Sequence, residues 1–302
     1  LFPKDYEFKK SLLVYLWMAE GLLQESKKDM LIEEVGSQYF DELLDGSFFQ
    51  QSSVNASCFV MHDLFNDLAM SVAGEKCFRM DDSIGDLKHL RYLGLARTKL
   101  KSLPESVSAL INLQSLILRG CWNLTKLPTS MENLINLRHL DISDTDELHE
   151  MPRGIAQLTS LRTLTKMTAS KNNGMRLKDL GNLSSLQGEI SIEELQNVVN
   201  VQEAKDARLT DKPSLNEIRL RWNNVFDDSR NKLFDLDVLN ALKPHDDLST
   251  LEIKYYGGEN FSNWIGDSAF RKLEKISFQF CKNCTTLPPL GQLPSLRDLT
   301  IR

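Results

Sequence analysis

The chain has 302 residues, 41% of them hydrophobic and 26% charged, and a net charge of −6. This composition supports a folded core and excludes wholesale disorder. The acidic balance lacks the cationic excess that general nucleic-acid or anionic-membrane binding requires, and the longest apolar run, Leu12 to Ala19, is far short of the roughly 20 residues that span a bilayer.

The opening Leu1-Phe2-Pro3-Lys4-Asp5 has neither the basic start nor the apolar stretch of a secretion signal. A start at Leu rather than Met, and a stop at Arg302 straight after a repeat-like strand, read as a piece of a longer protein. Five scattered cysteines make no disulfide framework and point to a reducing, intracellular setting. Residues 1–80 hold 7 Lys/Arg against 13 Asp/Glu, whereas residues 81–302 hold 29 of each. The acidity therefore sits in the first segment, and the change of pattern near Asp81 predicts a domain boundary: 1–80, then 81–302.

In the first segment, Phe8 to Leu23 has helical period, with Leu12/Leu16 and Leu13/Trp17 four apart. A second helix capped by Asp29 carries Leu31, Val35, Phe40, Leu43 and Leu44 on one face and ends at Gly46. Ser47–Gln50 and Cys58–Met61 read as two strands around a polar tip. A third helix from about Asp63 buries Leu64, Phe65, Leu68, Ala69 and Val72. Helix, helix, hairpin, helix is the order of a mostly α winged-helix domain. Many such domains bind DNA, but seven basic residues in a net-acidic segment supply no basic stripe, so docking to protein is the expectation.

From Leu90 a repeat takes over. Leu90-Arg-Tyr-Leu93-Gly-Leu95, Leu113-Gln-Ser-Leu116-Ile-Leu118 and Leu137-Arg-His-Leu140-Asp-Ile142 share the pattern L-x-x-L-x-L, and Leu161-Arg-Thr-Leu164 continues it. Pro104, Pro128 and Pro152 follow at the same pace, then apolar pairs three apart: Val107/Leu110, Met131/Leu134 and Ile155/Leu158. Each L-x-L is a short strand with its leucines inward, and each apolar pair marks a helical turn on the outer side. One repeat cannot bury its leucines alone, so the repeats stack into a leucine-rich-repeat solenoid, an α/β fold built on a curved parallel sheet. Further strands are expected at Leu186–Ile192, Leu215–Leu220, Leu248–Ile253, Leu273–Phe278 and Leu296–Ile301, about nine irregular repeats in all. Two insertions interrupt them: 169–180, and the polar stretch Asn223–Asp237, expected to be a surface loop.

Alternation assigns the outward strand positions to one concave face: Tyr92 and Gly94; Ser115, Ile117 and Arg119; His139 and Asp141; Glu217, Arg219 and Arg221; Glu252 and Lys254; Lys275 and Ser277. Their mixed charge suits a protein partner better than a polyanion. Cys281-Lys-Asn-Cys284 has the spacing of half a zinc site or a redox pair, but no second pair and no nearby histidine completes a metal site. Aligned with its neighbours, Cys281 falls with Thr98, Cys121 and Thr145, where a small polar side chain caps the strand end, and Cys284 falls on the core column of Leu124 and Leu148. The five histidines form no ligand or catalytic cluster, and G-x-x-x-x-G-K-[ST] does not occur. The chain is therefore not expected to be an enzyme, and no metal or catalytic residue is assigned.

Leu1-Phe2-Pro3-Lys4-Asp5-Tyr6-Glu7-Phe8, with Leu16-Trp17-Met18-Ala19-Glu20-Gly21, resembles the LFPxDYxF and LWxAEG signature of plant intracellular immune receptors of the nucleotide-binding, leucine-rich-repeat family, coiled-coil class. Met61-His62-Asp63 is similar to that family's MHD motif, and Leu242-Lys243-Pro244-His245 and Tyr256-Gly257-Gly258 resemble its later repeats. The resemblance implies the winged-helix region and the first part of the repeat domain. It implies that His62, with Met61 and Asp63, faces the terminal phosphate of ADP in the intact receptor, that exchange of ADP for ATP is the switch, and that this piece alone holds neither nucleotide tightly. It also implies the partners: a pathogen effector or a guarded host protein, the receptor's own nucleotide-binding domain, and further copies on activation. The implied setting is the cytoplasm, with plasma-membrane or nuclear association after activation. A helix start with free N–H groups, preceded by an imidazole, is chemically able to meet a phosphate. The competing reading is a non-enzymatic repeat scaffold, such as an adaptor that recruits substrates to a ubiquitin ligase, which has no use for the histidine motif.

Overall fold

A computed structural model describes residues 8–19, 22–23, 31–52, 57–61, 82–226 and 231–302, and the chain divides into two compact units, 1–81 with 90–92, and 82–89 with 93–302. In the first unit, helix α1 runs Lys10–Ala19 and α2 runs Ile32–Asp45. Both are shorter at their starts than periodicity suggests. Phe8 belongs to a strand-like bridge with Phe59, closed by hydrogen bonds of 2.9 and 2.8 Å, which withdraws it from the helix. Leu31 rather than Asp29 precedes α2, and the Glu34 carboxylate accepts the Leu31 N–H at 3.2 Å. Strands β1 (Phe49–Gln51) and β2 (Phe59–Met61) form the antiparallel hairpin. Phe8, Leu13, Phe40 and Phe49 make the unit's core, with the Phe40 and Phe49 rings stacked at 5.3 Å. The helix expected from Asp63 lies outside the described residues.

The second unit is the repeat array. Its strands are β3 (Tyr92–Gly94), β4 (Ser115–Ile117), β5 (His139–Asp141), β6 (Thr163–Leu164), β7 (Lys166–Thr168), β8 (Gly188–Glu193), β9 (Leu215–Arg221), β10 (Thr250–Lys254), β11 (Lys275–Gln279) and β12 (Asp298–Ile301). Neighbours pair in parallel in chain order, as stacked repeats must. The inward column is Leu93, Leu116, Leu140, Leu164, Ile190, Ile218, Leu251 and Ile276, all buried. Each contributes about 1.5–3 kcal/mol of apolar burial. The returning segments carry 3-10 turns, including 105–109 and 153–157, which begin directly after Pro104 and Pro152. Proline fits there because the first turn of a helix leaves its N–H unpaired in any case.

The fourth repeat breaks the sheet. Strands β3 to β6 form one sheet and β7 to β12 another, split at Thr165. The third inward position of this repeat is Lys166, not leucine. An ammonium cannot enter the leucine core, so Lys166 takes an outward position, in register with Ser191 of β8. The lysine is buried among polar groups, with Nζ donating to Thr145 O at 2.8 Å and lying 3.3 Å from Glu193.

Two residues beyond the last inward position, the backbone turns left-handed in six repeats: Arg97, Gly120, Asp144, Glu194, Tyr255 and Phe280 have φ between 54° and 69°. Only Gly120 is the residue that geometry favours. A side chain there would meet Arg97 Cγ at 3.1 Å.

The insertion at Asn223–Asp237 is not all loop. Helix α4 (Lys232–Ala241) begins inside it, capped by Asn231, whose side chain accepts the Phe234 N–H at 3.0 Å. Val238 and Leu239, with Leu242 just beyond the helix, form its buried face. The helix is anchored by the Trp222 indole, which donates to the Asp235 carboxylate at 3.1 Å, both buried. A short helix α3 (Val201–Asp206), capped by Asn200, fills the long connection between β8 and β9. Among the described residues no helix is long and apolar enough to cross a membrane.

Candidate functional site

The outward strand residues form laterally aligned rows. On the larger sheet, Glu217, Arg219 and Arg221 of β9 stand beside Thr250, Glu252 and Lys254 of β10, which stand beside Lys275, Ser277 and Gln279 of β11. On the smaller sheet, Ser115 pairs in register with His139, and Ile117 with Asp141. The structure thus brings Glu217, Arg219, Arg221, Glu252, Lys254 and Lys275 onto one surface, and Ser115, Arg119, His139 and Asp141 onto the other sheet. Tyr92 is half-buried and groups with the first unit.

Arg219 is engaged on both sides. It bonds Glu217 on its own strand and reaches Glu189 of β8 at 3.0 Å. Burial alone would lower its guanidinium, but Glu217 and Glu189 overcome this and hold it above the ordinary arginine value. Arg221 is looser, 3.6 Å from Glu193, with its guanidinium over the Tyr255 ring at 5.8 Å. Lys254 pairs with Glu252 at 2.6 Å, Lys275 lies 3.7 Å from Asp298, and Arg119 lies 3.5 Å from Asp144. Asp141 accepts from the Ser143 hydroxyl at 2.6 Å and from Thr165 at 3.2 Å.

Three positions read as outward are not open to solvent: Ser115, Ile117 and His139 are buried. The His139 ring sits in a row between Ser115 and Thr163, with Nδ1 3.1 Å from the threonine hydroxyl. Burial, with Arg162 and Arg138 nearby, pushes its pKa down to about 3, so the ring is neutral. Alternation predicts which sheet face a side chain takes; it does not predict whether that face is covered.

The sequence also left residues unassigned. Glu189, Ser191 and Glu193 occupy outward positions of β8, and their alternation with Ile190 and Ile192 was a legible signal. At the sheet break, Lys166, Glu193, Arg221, Glu252 and Lys254 help to line a polar hollow of about 260 Å³.

The cysteines serve the backbone. Cys121 Sγ donates to Leu95 O at 3.1 Å, and Cys284 Sγ donates to Gly258 O at 3.2 Å. Burial, with Cys281 close by, pushes the Cys284 thiol up to about 12. It is half-buried rather than fully buried as its leucine column implied, because its sulfur turns to a carbonyl.

His62 and Asp63 lie outside the described residues. Met61 ends β2, its backbone in register with Phe49, so the hairpin delivers the chain to the motif.

Comparison with known proteins adds the following. Residues 1–69 match the model of the disease resistance protein winged helix domain, and residues 177–302 match that of the R13L1/DRL21 leucine-rich repeats. Over its whole length the chain is 38% identical to a putative disease resistance protein of Arabidopsis thaliana, At3g14460. It is likewise 35% identical to the putative disease resistance RPP13-like protein 1 of the same plant and 37% identical to disease resistance protein RGA2 of Solanum bulbocastanum. The chain belongs to the plant disease resistance proteins. It spans 27%, 37% and 36% of these three relatives, so what a whole disease resistance protein does is a larger matter than this chain. Within the family's architecture, the matched winged-helix region contains the MHD residues, and the matched repeats contain Arg219, Arg221, Glu252, Lys254 and Lys275.

Proposed function

We propose that this chain is the sensing and regulatory portion of an intracellular plant immune receptor. The observation that carries the reading is the order of parts: a winged-helix match containing Met61-His62-Asp63, followed by the repeat array. The repeats recognise a pathogen effector or a guarded host protein through the outward rows of β8 to β11. Charged side chains of both signs, on strands about 4.8 Å apart, offer a partner a patterned surface, and complementary charge chiefly sets which partner fits. Before a trigger arrives, the same portion restrains the nucleotide-binding half of the parent.

In the intact receptor His62 faces the terminal phosphate of ADP, with Asp63 holding the imidazole in place. ADP supplies the negative oxygens that this residue reads. The phosphate cradle is not in this chain, which has no G-x-x-x-x-G-K-[ST], so on this reading the isolated chain holds ADP weakly and hydrolyses no ATP. The parent works in the cytoplasm and assembles into oligomers on activation.

The test is His62→Ala, or Asp63→Val, in the full-length parent expressed in leaves. Loss of a charge-assisted bond made only in the resting state shifts the balance by roughly 1–2 kcal/mol toward the active one. Cell death without a trigger is the expected result. A variant that accumulates normally and stays silent refutes the role of His62.

A further inference from the structure

The loops that follow β3 and β4 carry a second surface, which adjoins the outward strand rows at Arg119. Arg97, Lys99, Lys101 and Lys126 are all exposed, and Arg119 stands beside them. Residues 97–102 and 119–126 contain no aspartate or glutamate. Among the described residues no carboxylate forms an ion pair with Arg97, Lys99, Lys101 or Lys126, and Arg119 alone has one, Asp144 at 3.5 Å.

The two loops lie side by side in fixed register. Arg97 N–H donates to Arg119 O at 2.7 Å, the Thr98 hydroxyl meets Cys121 Sγ at 3.4 Å, and Thr125 N–H donates to Lys101 O at 2.9 Å. Ser102 and Lys126 then pair as a parallel bridge. Between these ties stands Trp122, level with Lys99 and 55% exposed. Tryptophan is rarely left so open in a folded chain, and it is among the residues that dominate protein interfaces. The surface therefore combines exposed cations on two adjoining loops with one large exposed aromatic side chain, on backbone pinned at both ends.

We propose that this edge docks a short acidic segment of another protein, with an apolar side chain of that segment seated on Trp122. The next repeat says why the segment is short. In the same loop it exposes Asp144, Asp146 and Glu147, so the positive patch ends after two repeats, about 10 Å across at the usual strand spacing. A nucleic-acid backbone or an anionic bilayer continues past that width and meets these three carboxylates; a short peptide stops or changes sign there. This docking edge does not depend on the recognition role of the strand rows.

The test uses the whole 302-residue chain and a fluorescent peptide alternating glutamate with leucine, read by anisotropy at low salt. The companion probes are a lysine–leucine peptide, oligothymidine, and vesicles of mixed phosphatidylserine and phosphatidylcholine. The glutamate–leucine peptide binds, and the lysine–leucine peptide does not. Lys99→Glu, Lys101→Glu and Lys126→Glu together weaken binding about tenfold, the loss of three screened surface attractions. Trp122→Ala weakens it several-fold without changing its salt dependence, and Lys205→Gln, at an exposed lysine of α3, leaves it unchanged. Circular dichroism confirms that each variant is folded. Failure of the acidic peptide to bind, equal binding by the triple lysine variant, no loss with Trp122→Ala, or tighter binding of oligothymidine or vesicles overturns the proposal.

Discussion

Arg219 offers the sharpest test of how the outward face is built. Glu189 and Glu217 are directly opposite one another on β8 and β9, and Arg219 bonds both. Arg219→Gln removes the charge and leaves two carboxylates facing across a strand pair. A charge-assisted bond contributes about 1.5–3 kcal/mol when sheltered. Arg219 is 35% exposed at its side chain, so solvent screening reduces that figure. Like charges directly opposite cost up to about 1 kcal/mol more. Together these give a loss of about 2 kcal/mol, which in a unit of this size lowers Tm by about 4–8 °C. Thermal unfolding followed by circular dichroism measures it. The diagnostic step is the second substitution: adding Glu217→Gln to Arg219→Gln removes the repulsion and recovers part of the loss. If Arg219→Gln melts with the native chain, or the added Glu217→Gln lowers Tm further, the ion network is not what holds these strands in register.

The strand register makes a companion prediction. Leu220 is 1% exposed between Arg219 and Arg221, so Leu220→Asp buries an unpaired carboxylate and costs about 4 kcal/mol or more, whereas Arg221→Gln, at a side chain 46% exposed, changes Tm by about 2 °C or less. Equal effects of the two would place the wrong side chains inward. His139 predicts a pH dependence. Its folded pKa of about 3 lies below the unfolded value near 6.5, so the native state excludes a proton that the unfolded chain accepts. The stability is present above pH 6.5 and is lost as the pH falls from there toward 3. Between pH 7.5 and 5.5 the loss from this group is about 1.4 kcal/mol, and His139→Asn should abolish that part of the urea-unfolding difference. An unchanged pH dependence in the variant would show that the imidazole is as accessible to protons in the folded chain as in the unfolded one.

What could be read without coordinates was whatever one repeat contains. The L-x-x-L-x-L period, the inward leucines and the turns after Pro104 and Pro152 depend on residues a few positions apart, and the structure has each of them in place. The Met61-His62-Asp63 motif is equally local, and its histidine and aspartate lie outside the described residues. What the tertiary structure decided lies between repeats. Arg219 meets a glutamate 30 residues away because β8 and β9 align in one register out of several that irregular repeats allow. Lys166 stands where the repeat pattern places a leucine, but only the stacked strands show that the sheet splits at Thr165. Ser115 and His139 alternate outward as their pattern requires and are nevertheless buried, because alternation is a property of one strand and burial is a property of everything packed around it.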